Sequence, residues 1–180
     1  SFGAAAGITK RLPYCVNGII KGVKQGYAET KAFIQTDVDG RSYILSLNPI
    51  KEFKNYRVVK HLLSNPSITQ ELAPNEKASI LIKGKDIGHE SFAVYPKEAE
   101  FPFTIPGKDA SYEVTIYLID EENIIGGYIG DWKVNRDSLK DANKIIFHVV
   151  EQGSATDDER FLFISGLSSY SKNVPLPELR

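Results

Sequence analysis

The 180-residue sequence has no methionine, one cysteine (Cys15), one tryptophan (Trp132) and three histidines. A single cysteine excludes an internal disulfide framework and a zinc site built on cysteines. No apolar run approaches the ~18 residues that cross a bilayer as a helix. There is no Walker A loop, no dinucleotide-fold glycine fingerprint, no zincin motif and no Gly-X-Ser-X-Gly elbow. What remains is an ordinary globular composition, 42% hydrophobic and 25% charged, which excludes a disordered tail, a collagen and a coiled coil.

The ends carry their own signals. Ser1-Phe2-Gly3-Ala4-Ala5-Ala6-Gly7 is rich in the small residues found around processing sites. With the missing methionine, this reads as a chain cut from a precursor or as a flexible arm. Asn173-Val-Pro-Leu-Pro-Glu-Leu-Arg180 carries two prolines, which excludes a regular helix or a central strand.

Strand signals dominate the rest. Gly18–Lys24, Lys31–Thr36 and Arg41–Leu47 read as a three-strand meander. Asp37-Val38-Asp39-Gly40 is read as a hairpin turn between the last two, because glycine adopts a positive φ without steric cost. The same four residues fail as a calcium loop: the glycine falls too early and no glutamate follows at the required place. Asn48-Pro49 then offers a helix start, and Ile50, Phe53, Tyr56, Val59 and Leu63 recur at helical spacing. A helix is therefore expected near residues 49–63.

From Ala78 onward the period is two. Ala78/Ile80/Ile82, Phe92/Val94, Phe101/Phe103/Ile105, Tyr112/Val114/Ile116/Leu118 and Ile145/Phe147/Val149 alternate, and Phe161–Ile164 is a last apolar run. Asn135–Asn143 has room for a helical turn capped by Asp137 or Ser138. Short strands at this spacing predict a mainly β fold: a β-sandwich or two packed β subdomains with one helix. The expected organisation is an arm over 1–12, a basic meander plus helix over 13–70, a sandwich-like region over 71–166 and an extended tail over 167–180. Residues 13–166 also fit a single domain, and 68–75 is the candidate boundary.

The net charge of −1 hides an asymmetry. Residues 1–63 carry 10 Lys/Arg and 4 Asp/Glu (+6), and residues 64–180 carry 12 and 19 (−7). Lys21, Lys24, Lys31, Arg41, Lys51, Lys54, Arg57 and Lys60 interleave with Tyr27, Phe33, Tyr43, Phe53 and Tyr56. Cations for phosphates among flat rings for bases suit single-stranded nucleic acid. The order of three strands, a helix and two more strands over residues 18–95 resembles that of the five-stranded oligonucleotide-binding barrel. That resemblance implies a nucleic-acid site at Lys21, Lys24, Lys31, Arg41 and Tyr43.

A second candidate is Gly126-Gly127-Tyr128-Ile129-Gly130-Asp131-Trp132-Lys133. Glycines in a strand mark a bulge or a close approach, and Tyr128, Trp132 and Lys133 are binding-type side chains. Carbohydrate recognition through Tyr128 and Trp132 is one use of them; the favoured alternative is a bulged hairpin with Trp132 packed between sheets. The histidines lie apart in sequence. His148 is read as solvent-facing, His61 as lying on the polar side of the helix and His89 as sitting in a turn. Cys15 is read as a small apolar residue rather than a nucleophile. No catalytic residue, metal ligand or cofactor is expected. The favoured reading is a non-catalytic β-rich binding or structural module working through protein–protein contacts or self-association. Its expected setting is secreted or periplasmic, with an intracellular multiprotein assembly as the alternative.

Overall fold

The computed structural model describes residues 7–36, 41–96, 102–153 and 156–180. The expected turn at Asp37–Gly40, residues 1–6 of the arm and Phe101 lie outside them. The fold is mainly β, and the chain divides into two compact units, 1–47 and 48–180. The candidate boundary at 68–75 instead joins two strands of one sheet.

In the first unit, β1 (Gly18–Gly22) and β2 (Thr30–Ile34) form an antiparallel hairpin. The third strand expected over Arg41–Leu47 does not form. Its side chains bind instead of its backbone. The Tyr43 hydroxyl donates to the Gln35 carbonyl (2.7 Å) and accepts from the Gln35 N–H (2.9 Å). A methyl group added at Gly22 would touch Leu47 and Leu45 at 3.3 and 3.6 Å, so these leucines close over that face of the hairpin.

In the second unit the strands are β3 (Ile50–Phe53), β4 (Asn55–Leu62), β5 (Asn65–Gln70), β6 (Glu76–Gly84), β7 (Glu90–Tyr95), β8 (Phe103–Pro106), β9 (Ala110–Asp120), β10 (Asn123–Val134), β11 (Lys144–Glu151) and β12 (Glu178–Leu179). The helices are α1 (Arg136–Asp141), α2 (Asp157–Ser165) and α3 (Leu167–Tyr170). One sheet runs β5-β4-β11-β10-β9-β6-β7, with β12 beside β11, and β3 pairs with β8 separately.

The helix expected over 49–63 is two strands. Its apparent helical spacing loses to a tertiary partner: β4 pairs in parallel with β11 over eight residues, from Asn55↔Lys144 to Leu62↔Glu151. Tyr56, Val58 and Val59 also favour a pleated surface. The apolar run at 161–164 lies in α2 rather than in a strand, behind a capping box of Thr156 and Glu159. The helical turn after Asn135 is present as α1, with Asn135 itself as cap. The region 167–180 is not uniformly extended: α3 and a 3-10 turn over Ser171–Asn173 precede β12.

Most of the alternations read from sequence are the core; Phe92/Val94 is the exception, because β7 turns Ser91 and Ala93 inward and leaves Phe92 59% exposed. Ala78, Ile80, Ile82, Tyr112, Val114, Ile116, Leu118, Ile145, Phe147 and Val149 are all fully buried. The sheet curls, so that Tyr56 of β4 reaches β7 near its far end, donating to the Val94 carbonyl (3.1 Å). A chain of aromatic contacts runs Tyr95–Tyr56–Phe103–Phe147–Trp132–Tyr112, with centroids 5.5–6.4 Å apart.

One ion cluster ties the paired strands β4 and β11 to β6, which is a neighbour of neither. Lys60 Nζ of β4 lies 2.7 Å from Glu76 Oε1 of β6 and 3.1 Å from Glu151 Oε2 of β11. Glu76 Oε2 also accepts the Ala73 N–H (2.7 Å). Burial disfavours the Lys60 ammonium, but the hydrogen bonds to Glu76 and Glu151 and their charge outweigh it, holding its pKa above the ordinary 10.5. The stability this supplies is therefore complete below pH 10.5 and is lost as pH climbs through the raised folded value. Replacing Lys60 with Met leaves the buried Glu76 carboxylate and the part-buried Glu151 carboxylate uncompensated. The expected loss is about 3–5 kcal/mol in urea unfolding at pH 7, and a loss below 1 kcal/mol would contradict this role.

Candidate functional site at the free edge of β10

β10 is where the sheet opens. It pairs with β9 from Asn123 to Val134, with a register shift between Ile124 and Gly126. With β11 it pairs only at Gly126↔Glu151 and Gly127↔Val150. Both glycines are required by close approach: a side chain at Gly126 would strike the Val150 carbonyl, and one at Gly127 the Ile116 carbonyl and Leu167 of α3. Beyond Gly127 the two strands part, and β12 takes the vacated side of β11 at Ile145 and Ile146.

Ser171 replaces the missing strand at one position. Its Oγ accepts the Ile129 N–H (2.9 Å) and donates to the Leu167 carbonyl (2.7 Å). By the alternation of an antiparallel ladder, Asp131 and Lys133 direct their backbone groups to the same side. Among the described residues, no strand lies there.

A groove of about 750 Å³ follows this edge. Tyr128, Ile129, Gly130 and Asp131 form one wall, and Ser168, Ser171, Lys172, Val174 and Leu176 form the other. Lys85 and Glu113 complete it, and Lys85 Nζ is paired with Asp131 Oδ2 at 2.6 Å. That hydrogen bond is the main reason the Lys85 pKa is raised. The Tyr128 ring folds over Gly130, where an added methyl would lie 2.7 Å from its hydroxyl oxygen. Burial, and then the Asp131 charge, raise the Tyr128 pKa.

The sequence candidates separate on this frame. Tyr128 lines the groove and Lys133 is exposed on the same strand. Trp132 is a core residue, 4% exposed between Tyr112 and Phe147, so Tyr128 and Trp132 make no open stacking platform. Lys21, Lys24, Lys31, Arg41 and Tyr43 all belong to the first unit. Lys21 and Lys31 stand directly opposite each other and share Glu29 (3.6 and 3.2 Å), whose pKa they lower, Lys31 most strongly. Beside them the Ile19↔Phe33 pair is exposed. Lys24 sits over the Tyr27 ring, and Arg41 donates to Gln35 Oε1.

The rest of the basic series lies in the second unit and is partly absorbed by structure. Lys60 is buried, Arg57 pairs with Glu71, and Lys51 donates to the Leu139 and Lys140 carbonyls at the end of α1. With the third strand and the helix absent, the element order that resembled an oligonucleotide-binding barrel is absent too.

Neither His61 nor His148 faces solvent. His61 and His148 are buried, 4% and 8% exposed, with His61 Nε2 and His148 Nδ1 2.9 Å apart. The usable signal was the unbroken run Ile145-Ile-Phe-His-Val-Val150. A strand apolar at every position is covered on both faces, so its histidine is buried whichever way it points. His89 does lie in a turn, with Nε2 2.9 Å from the Thr104 carbonyl. Cys15 is half-buried, its N–H bound to Thr36 Oγ1.

Among the described residues, no three His, Cys, Asp or Glu side chains are grouped to hold a metal ion, and no helix is long and apolar enough to cross a membrane. Comparison with protein-family models, with curated proteins and with solved structures returns no match.

Ser171→Ala strips the Ile129 N–H of its acceptor. The expected cost is about 1–3 kcal/mol, with faster amide exchange at Ile129. An unchanged Ile129 amide would show that Ser171 does not stand in for a strand.

Proposed function

We propose that this chain is a non-catalytic binding module that takes an extended segment of a partner protein along the free edge of β10. The observation that carries this reading is the stretch from Ile129 to Lys133. Among the described residues its outward backbone groups have one side-chain partner, Ser171, and a groove runs beside them. Strand addition uses such an edge: backbone hydrogen bonds supply affinity, and flanking pockets select alternate side chains. The other edges of the sheet are guarded. β5 carries Pro66, and Ser91 of β7 accepts the Thr104 N–H of β8. The groove offers Lys85 and Lys172 among Asp131 and Glu113, with Val174 and Leu176 for apolar contact. A segment alternating charged and apolar residues matches it.

Peptides selected from a library of extended segments should shift the backbone amides of Asp131 and Lys133. Reversing Lys85 and Lys172 to Glu should weaken them by about tenfold. Peptides that shift only other edges, or a library that yields no binder, would overturn the assignment.

A second reading, binding of single-stranded nucleic acid, is supported by one specific observation. Lys21 and Lys31 face outward on the hairpin beside Phe33, which is 75% exposed. Cations beside a free ring are the elements of a stacking platform. A labelled oligothymidylate should then bind at low salt, weaken steeply as salt rises, and lose affinity on Phe33→Ala. Absence of binding at 20 mM salt, a value on the order of those used for such salt series, removes this reading.

A further inference from the structure

The second wall of the groove belongs to a strap, residues 171–180, whose end is held in β12. Its docking is tied to a relay of buried groups. Its hydrogen-bond directions follow from one fact: a carbonyl can only accept. His61 Nδ1 is 2.6 Å from the Pro66 carbonyl, so Nδ1 carries the proton and donates. In neutral His61 the other nitrogen, Nε2, is then an acceptor. His148 Nδ1 lies 2.9 Å from it and must be the donor. That leaves His148 Nε2 without a proton. It is buried without a hydrogen-bond partner, and it lies 3.4 Å from Glu178 Oε1 of β12. Two acceptors thus face each other, and the relay is one proton short.

Glu178 is built to receive that proton's hydrogen bond. Its other oxygen, Oε2, is held by Arg180 Nε and Nη2 at 2.8 and 2.7 Å, leaving Oε1 directed at His148. Beyond it, Arg180 closes the strap on the sheet. Its N–H donates to the Lys144 carbonyl, and its carbonyl accepts from the Asn143 and Lys144 N–H groups.

We propose that His148 is a proton-operated latch: on taking up one proton it donates from Nε2 to Glu178, pins β12 to β11, and so holds the strap that walls the groove. No bond other than that to the proton changes. The proton comes from solvent, and the imidazolium and the carboxylate remain as an ion pair. The functional meaning of the latch rests on the reading of the groove as a binding site.

The charged and titratable groups facing His148 are His61 from β4, Glu178 from β12 and Arg180 beyond it. Arg57, on the same face of β4, is engaged with Glu71. Burial first of all holds the His148 pKa below its ordinary 6.5, against the pull of Glu178. Uptake therefore belongs below pH 6.5. The depressed value means that global stability falls as pH drops below 6.5. Docking of β12 tightens over the same range in the latch because Glu178, which docking supplies, raises the His148 pKa above its undocked value. The opposite signs separate a latch from general acid loosening.

The test uses the full chain without ligand. Histidine-ring nitrogen NMR at pH 8 should show both His61 and His148 protonated at Nδ1 only. On titration to pH 5, His148 should gain a proton at Nε2. Over the same range, exchange at the Arg180 amide, corrected for intrinsic rates, should slow by about three- to tenfold. Glu178→Gln, a half-exposed substitution that leaves the core intact, should abolish the slowing. A neutral His148 protonated at Nε2, an Arg180 amide indifferent to pH or faster in acid, or slowing that survives Glu178→Gln would each overturn the latch. Failure of the groove as a binding site would appear separately, as absence of peptide binding at every pH with the ring and exchange signals intact.

Discussion

The parallel pairing of β4 with β11 is the constraint on which the second unit depends. Parallel strands cannot be joined by a tight turn, and here some eighty residues and the whole antiparallel part of the sheet separate the two. Once they pair, each face acquires its chemistry. On the concave face Val58 stands beside Phe147, and Lys60 comes between Glu76 and Glu151. On the other face His61 meets His148. A buried lysine and two buried histidines are tolerable only because each finds its partner there. The arrangement is therefore strongly specified: a one-residue slip would send Lys60 to the wrong face, away from its carboxylates.

The departure of β10 from β11 after Gly127 is the second decision in the fold. The bulge beside Gly126 and the side-chain-free contacts of Gly126 and Gly127 let two backbones meet closely and then diverge. Divergence leaves a strand edge inside the sheet, which a protein must cover or use. This chain covers part of it with Ser171 and the strap, and leaves a groove beside the rest. Because the strap returns to the sheet as β12, the histidine relay and the groove wall share one piece of chain.

The first unit has a different character. Ile34 is its one buried large apolar side chain among the described residues, while Ile8, Tyr14, Val16, Ile19, Val23, Phe33 and Ile44 are exposed. It carries six basic and three acidic residues, so the positive end of the charge asymmetry is shared between both units rather than gathered on one. Lysines that look continuous along the chain are divided between the two units, and Lys60 is consumed as a structural ion.

By itself the sequence determined the mainly β class and much of the core. In a strand the side-chain period of two is local, so Tyr112, Val114, Ile116 and Leu118 announce one buried face without reference to any partner. The glycine-rich segment at 126–130 was legible as a place of close approach for the same local reason. The capping box at Thr156 and Glu159 is an equally local signal that the reading of 161–164 as one more β run passed over: that apolar run belongs to the helix the box begins. What only the tertiary structure decided was pairing. It turned the helical spacing of residues 49–63 into β3 and β4, and joined His61 to His148. It also left the edge of β10 open. Partner choice depends on contacts made across many tens of residues, and no window of neighbouring residues contains the strand that will lie alongside.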